Sequence, residues 1–272
     1  MSTSPLQALR TLLFVPGDRP ERFDKALACG ADAIALDLED AVLPESKSNA
    51  RAAIANWTGE RSARVLLRIN SADTVWFEDD LRQAREAGYL EIMLPKADDP
   101  DAIARIRAAL GPQAGIYPLV ETVLGTTRMR ELARQSGVRR LVFGTVDFSR
   151  DSGIQHEDGW LPIRVEMVLA SRLAGCASPI DGTLLGWNDP ELLRAQAARS
   201  RSLGFGGRLC IHPAQVAPIR AGMQPSAEEL AWAQRVLDAV ESARHGAIVV
   251  DGKLVDKPVV DLARDWLAQA RD

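Results

Sequence analysis

Three cysteines among 272 residues, Cys29, Cys176 and Cys210, show no Cys-x-x-Cys spacing and are odd in number. This excludes a disulfide-stapled secreted scaffold and predicts buried thiols in a reducing compartment. No apolar run approaches the ~18 residues that would cross a bilayer, which excludes a membrane-spanning chain. There is no surplus of positive charge: 33 Lys and Arg stand against 37 Asp and Glu, a net charge of -4. Binding to a phosphate backbone relies on such a surplus, so a nucleic-acid partner is not expected. Met1 to Gln7 lack the basic, apolar and small-residue pattern of a secretory signal, making the cytoplasm the expected compartment. Low-complexity tracts and sequence repeats of 20 to 50 residues are also missing.

What is present is rhythm. Short apolar runs recur about every 25 residues, each followed by a polar turn and an amphipathic stretch, the pattern of βα units. Eight are found: Leu12 to Val15, Ala33 to Leu38, Val65 to Ile69, Glu91 to Leu94, Gly115 to Val120, Arg140 to Phe143, Ala177 to Asp181 and Arg208 to Ile211. Continuous apolar strands imply a sheet covered on both faces, and this length suits one (β/α)8 TIM barrel, expected over residues 1–222. Asp99 to Leu110 and Glu191 to Leu203 carry helical spacing with charged outer faces. Residues 223–272 read as a C-terminal helix, hairpin and helix, a lid on the barrel. Ser226 and Glu229 have capping-box spacing for the first helix, through about Ala243. His245 to Asp256 contains an Asp-Gly turn, and Val259 to Ala270 reads as the last helix.

In parallel α/β enzymes the chemistry collects at strand C-termini. Those ends carry Arg19, Glu39, Asp40, Arg68, Lys96, Glu121, Asp147, Asp181 and His212. Glu121 and Asp147 end consecutive strands and are therefore neighbours on the rim. Two such acids without histidine or thiolate make a hard oxygen site suited to partly hydrated Mg²⁺. Gly144 before Asp147 permits close backbone approach to a ligand. Arg68 needs a partner, either a substrate oxygen or a salt bridge to Glu39 or Asp40. Asp256 reads on its own as an N-cap with proline close behind. His212-Pro213 reads as a helix-start turn, Lys96 as structural or facing the mouth, and His156 and His245 as solvent-facing. No lysine lies inside the strands, which excludes a Schiff-base aldolase.

The sequence resembles the citrate lyase beta subunit, malyl-CoA lyase and citramalyl-CoA lyase group of the HpcH/HpaI aldolase/citrate lyase superfamily. The likeness runs through Leu13 to Pro20, Leu36 to Val42, Leu67 to Asn70, Met93 to Lys96, Glu121-Thr122, Phe143 to Asp147, Ile180 to Gly182, Leu203 to Gly207, Ile211 to Gln215 and Leu254 to Asp256. Residue by residue, the resemblance implies Mg²⁺ on Glu121 and Asp147, and substrate and enolate contact by Arg68. Phe14, Arg19, Lys25, Val146, Ile211 and His212 would lie beside the substrate and its coenzyme A. Glu39 and Asp40 would stand behind them, orienting the cation's water and Arg68. Asp256 would act as acid/base in a neighbouring subunit's site.

The implied activity is cleavage or formation of a short β-hydroxyacyl-CoA such as malyl-CoA or citramalyl-CoA, through an enolate, giving an α-keto acid and acetyl-CoA. The implied assembly is a homotrimer or homohexamer with exchanged lids. Three other functions fit the same residues: an acyl-CoA thioester hydrolase, a citryl-carrier-protein lyase subunit, and a non-catalytic acyl-CoA-binding subunit. Asp151-Ser152-Gly153-Ile154 and Leu184-Leu185-Gly186-Trp187-Asn188 depart from the family pattern and bear on substrate shape.

Overall fold

The computed structural model describes residues 9–59, 64–242 and 248–270. The eight apolar runs become parallel strands closed into one barrel: β1 (Thr11–Pro16), β2 (Ala33–Asp37), β3 (Val65–Arg68), β4 (Glu91–Leu94), β5 (Gly115–Val120), β6 (Val142–Phe143), β7 (Ile180–Asp181) and β8 (Gly207–Cys210). Closure comes from β1 pairing with β8, Thr11 opposite Arg208 and Leu13 opposite Cys210. β2 and β3 end one residue earlier than the apolar pattern predicts, and β6 and β7 are shorter by two and three residues. Pro179, which has no N–H to give a ladder, precedes β7 and delays its start to Ile180. The pairing of β6 with β7 is accordingly confined to Val142 opposite Ile180.

Around the barrel lie α1 (Phe23–Ala28), α2 (Lys47–Asn56), α3 (Phe77–Ala87), α4 (Pro100–Leu110), α5 (Val123–Thr127), α6 (Met129–Ala133), α7 (Thr145–Ser152), α8 (Leu161–Ala174), α9 (Pro190–Ser202) and α10 (Val216–Gly222). Asp99 caps α4, accepting from the Asp101 N–H at 3.0 Å, with Pro100 at the first helical position.

Strand side chains alternate, and the two sets build two cores. Leu12, Ala33, Ala35, Leu66, Met93, Tyr117, Leu119, Val142, Ile180 and Leu209 fill the barrel interior, with Phe14 above them. Leu13, Ile34, Leu36, Val65, Leu67, Ile92, Ile116 and Phe143 instead join the layer between sheet and helices. At the N-terminal end, the buried guanidinium of Arg140 donates to the Leu9 and Ser178 carbonyl oxygens at 2.9 and 2.6 Å. That end is tied shut.

Beyond Gly222 the chain forms α11 (Ala227–Ser242), an antiparallel pair of β9 (Ile248–Val250) and β10 (Lys253–Val255), and α12 (Lys257–Gln269). Ser226 and Glu229 form the expected capping box: the Glu229 carboxylate accepts from the Ser226 N–H at 2.7 Å, and the Ser226 hydroxyl from the Glu229 N–H at 3.1 Å. Asp251 and Gly252 both have positive φ, 51° and 75°, the backbone a tight Asp-Gly hairpin turn requires. The start of the expected hairpin, His245 to Ala247, and the Ala243 end of the helix before it lie outside the described residues. Ala233, Val236, Val250, Val255 and Ala263 give this segment an apolar cluster of its own. The three cysteines are unbridged, with Cys210 buried and Cys29 and Cys176 half-buried.

Candidate active site

The strand alternation that fills the barrel decides what faces its mouth. Asp37 follows Ala33 and Ala35 inward, Arg68 follows Leu66, and Glu121 follows Tyr117 and Leu119. Asp147 arrives in the first turn of α7, just past β6. These four side chains line one cavity of about 370 Å³, together with Phe14, Asp40, Val146 and Ile211. The two acids expected to neighbour each other do share this space, and the charge of Asp147 acts on Glu121.

Glu121 is 2% exposed. Its Oε1 accepts from the Lys96 N–H at 2.8 Å. Lys96 holds the left-handed region, φ 47°, and this turn at the end of β4 aims its N–H at the carboxylate. The Lys96 ammonium donates to Glu39 Oε1 at 2.5 Å, so this lysine is both structural and mouth-facing. Burial first, then the negative charges of Glu39 and Asp147, push the Glu121 carboxyl up to about 8. Glu39 is also raised, chiefly by burial, against the opposing pull of Arg68 and Lys96. Gly144 lines the cavity and has a second use beside the one expected. A Cβ there would overlap the side chain of Glu121, so the glycine makes room for the carboxylate itself.

Arg68 is held by two hydrogen bonds and an ion pair. Its Nε donates to Asp37 Oδ1 at 2.7 Å, its Nη2 to Asp37 Oδ2, and its Nη1 pairs with Glu39 Oε2 at 3.1 Å. The guanidinium also lies over the Phe14 ring, 4.5 Å from its centroid. Burial opposes its charge, yet Asp37 and Glu39 hold its pKa above the ordinary value. Two of its five N–H groups are committed to Asp37 and Nη1 faces Glu39, so N–H groups remain to meet a ligand oxygen. The expected salt bridge is therefore present on Glu39, with Asp37 as the stronger partner. Asp40 is exposed on the cavity wall. Sequence reasoning passed over Asp37, although the alternation from Ala33 and Ala35 points to it.

Other expected positions fall elsewhere. Asp181 has the opposite strand parity and points into the helix layer, pairing with Arg164 at 3.1 Å and Arg208 at 3.3 Å and accepting from Ser200 at 2.6 Å. It is a buried structural acid, held below its usual pKa by the two arginines although burial acts the other way. Arg19 and Lys25 are exposed outside the cavity, on the β1 side. His212 is exposed, and its Nδ1 accepts from the Ala214 N–H at 3.1 Å, the expected helix-start turn. The same local bond pattern is seen at His156, also exposed; His245 lies outside the described residues. Asp256 caps α12, accepting from the Val259 N–H at 3.3 Å, and does not line the mouth of its own barrel.

The donor set fits a hard divalent cation. Around the mouth five carboxylates, Asp37, Glu39, Asp40, Glu121 and Asp147, face three cations, Arg68, Lys96 and Lys47. Counted as ionised, they leave two negative charges uncompensated, the charge of one such ion. Among the described residues no three ligating side chains converge as a closed cage. Two carboxylates with open positions leave room for water and substrate, the usual way Mg²⁺ is held.

Residues 10–213 match the HpcH/HpaI aldolase/citrate lyase family. A (3S)-malyl-CoA thioesterase of Cereibacter sphaeroides is 35% identical, with 96% of this chain and 94% of that protein aligned. A citrate lyase subunit beta-like protein of Mycobacterium tuberculosis is also 35% identical, over 95% and 94%. An L-malyl-CoA/beta-methylmalyl-CoA lyase of Cereibacter sphaeroides is 32% identical, over 98% and 96%. The crystal structure of the Mycobacterium tuberculosis protein CitE with magnesium, acetoacetate and coenzyme A superposes with a TM-score of 0.89 at 33% identity, covering 98% of this chain and all of that one.

Proposed function

Because the chain belongs to the HpcH/HpaI aldolase/citrate lyase family, we propose that it is a Mg²⁺-dependent carbon–carbon lyase of a short β-hydroxyacyl-CoA such as malyl-CoA or citramalyl-CoA. The observation that carries this reading is the convergence of Glu121, Asp147 and Arg68 on one cavity walled by Phe14 and Ile211. Glu121 and Asp147 would hold the ion. Mg²⁺ bound there would supply Lewis-acid stabilisation of negative charge on oxygen.

The protein's own groups account for the rest. Arg68, fixed by Asp37 and Glu39, presents its remaining N–H groups to the thioester oxygen as enolate charge develops, a role whose loss typically costs about 10² to 10³ in rate. Phe14, Leu119 and Ile211 give that charge an apolar wall. Asp256 of a second subunit would exchange a proton at the enolate carbon. Its absence from its own mouth supports that exchange, and with it a homo-oligomer, a trimer or hexamer. Residues 1–222 would then form the catalytic domain and residues 223–272 the lid. Soluble cytoplasmic placement is part of the same reading; among the described residues no helix is long and apolar enough to cross a membrane.

A second reading, thioester hydrolysis, is favoured by the (3S)-malyl-CoA thioesterase among the relatives. Incubation with Mg²⁺ and malyl-, citramalyl- or β-methylmalyl-CoA separates the two. The expected result is keto-acid release that chelation by EDTA abolishes. A hydroxy acid with free CoA thiol would instead establish the hydrolase, and no turnover of any of the three would overturn both.

A further inference from the structure

The departure from the family pattern after β7 has a physical consequence at the rim. Trp187 stacks on His212, ring centroids 4.7 Å apart and planes 28° apart, yet the indole is 52% exposed. Two loops are locked together to make this pair. Gln215, fully buried, accepts from the Ile211 and His212 N–H groups at 2.8 and 3.3 Å, while its Nε2 donates to the Leu184 and Gly186 carbonyl oxygens at 2.6 and 2.8 Å. One buried amide thus clasps the loop after β7 to the loop after β8. The imidazole is fixed in turn by its bond from Ala214. A half-exposed indole backed by an immobilised ring is a platform for a planar aromatic ligand, prepaid in side-chain entropy.

Its position names that ligand. Leu185 and Ile211, from the same two loops, line the cavity that holds Glu121 and Asp147. On the other side, β8 neighbours β1, whose following segment carries exposed Arg19, Arg22 and Lys25. An aromatic platform beside a basic segment suits a purine attached to phosphates. We propose that Trp187, with His212 behind it, receives the adenine of the substrate's coenzyme A, so that the enzyme selects thioesters carrying the nucleotide over those on a bare or carrier-borne pantetheine arm. This rests on the acyl-CoA reading above and adds a specificity residue to it.

The test compares (3S)-malyl-CoA with malyl-pantetheine on the Mg²⁺-loaded wild type, Trp187→Ala and Trp187→Phe. Loss of one stacked base predicts about a tenfold fall in the kcat/KM ratio of CoA over pantetheine substrate in Trp187→Ala, carried by KM, with Trp187→Phe in between. Calorimetric titration with adenosine 3′,5′-bisphosphate is expected to show the same weakening. An unchanged ratio, or unchanged bisphosphate affinity in Trp187→Ala, would overturn the assignment. Failure of the wild type to turn over either thioester would exclude malyl as the acyl group without deciding the acyl-CoA reading, while the titration still decides the platform: weakened binding in the variant supports it, and no binding by the wild type overturns it.

Discussion

Glu121 is the residue at which the protein's electrostatic design is most exposed to measurement. With its carboxyl raised to about 8 from an ordinary 4.5, chiefly by burial, the folded metal-free protein holds a proton there that the unfolded chain has released. Stability then falls as pH rises: the contribution is complete below 4.5 and is lost as pH passes through about 8. A divalent ion held by Glu121, as proposed, would take the place of that proton, so its binding should strengthen by up to about tenfold per pH unit below 8. Thermal melts of metal-free protein between pH 6 and 9 should therefore show Tm falling with pH, and added Mg²⁺ raising it by a growing margin. Glu121→Gln should flatten the slope to what Glu39 leaves and weaken the Mg²⁺ response; a Glu121→Gln protein with the wild-type slope and Mg²⁺ response would show that the titrating group lies elsewhere. The residue itself was legible in the sequence because an acid ending an apolar strand stands out. Asp37 was harder to see: it was overshadowed by Glu39 and Asp40, and only strand parity shows that it shares the interior face of Ala33 and Ala35. The same parity would have sent Asp181 outward.

Among the elements, strand positions were readable because a barrel strand buried on both faces must be apolar throughout, and β4 and β5 begin and end where the pattern does. β6 and β7 were overestimated because hydrophobicity is blind to a missing donor at Pro179. Where an element ends on a chemically able side chain, pattern alone leaves two roles superimposed, and Asp256 is the case in point. It is the N-cap of α12, with Pro258 in the first turn, and it is also the proposed acid/base. The two roles respond differently to substitution. Asparagine caps as well as aspartate, whereas alanine costs about 1 kcal/mol of stability. Asp256→Asn is expected to keep the wild-type Tm and lose about 10² to 10⁴ in kcat, the usual worth of a positioned proton donor. Asp256→Ala should lose both. Full activity in Asp256→Asn, with only the alanine variant impaired, would reduce Asp256 to a cap.

At the scale of the molecule, the surface left uncovered by one chain has a pattern. Leu161, Val165, Leu169 and Leu173 lie four residues apart along α8 and are all exposed, forming an apolar ridge on the outside of the barrel. Val249 and Leu254, directly opposite each other across β9 and β10, both face outward two to seven residues before Asp256. A C-terminal segment with an apolar outer face next to the proposed acid/base is suited to settle on another surface, and the mouth of its own barrel is not where Asp256 lies. Exchange between subunits can be tested by mixing two dead sites. Asp147→Asn keeps an intact lid over a broken metal site, and Asp256→Asn the reverse. In a ring assembled at random from equal amounts of both chains, an active site needs its own Asp147 and a neighbour's Asp256, so about one quarter of wild-type activity should return. Co-expressed chains that form the wild-type oligomer but recover no activity would place the aspartate's action within one subunit, and a monomer in sedimentation would exclude the exchange altogether.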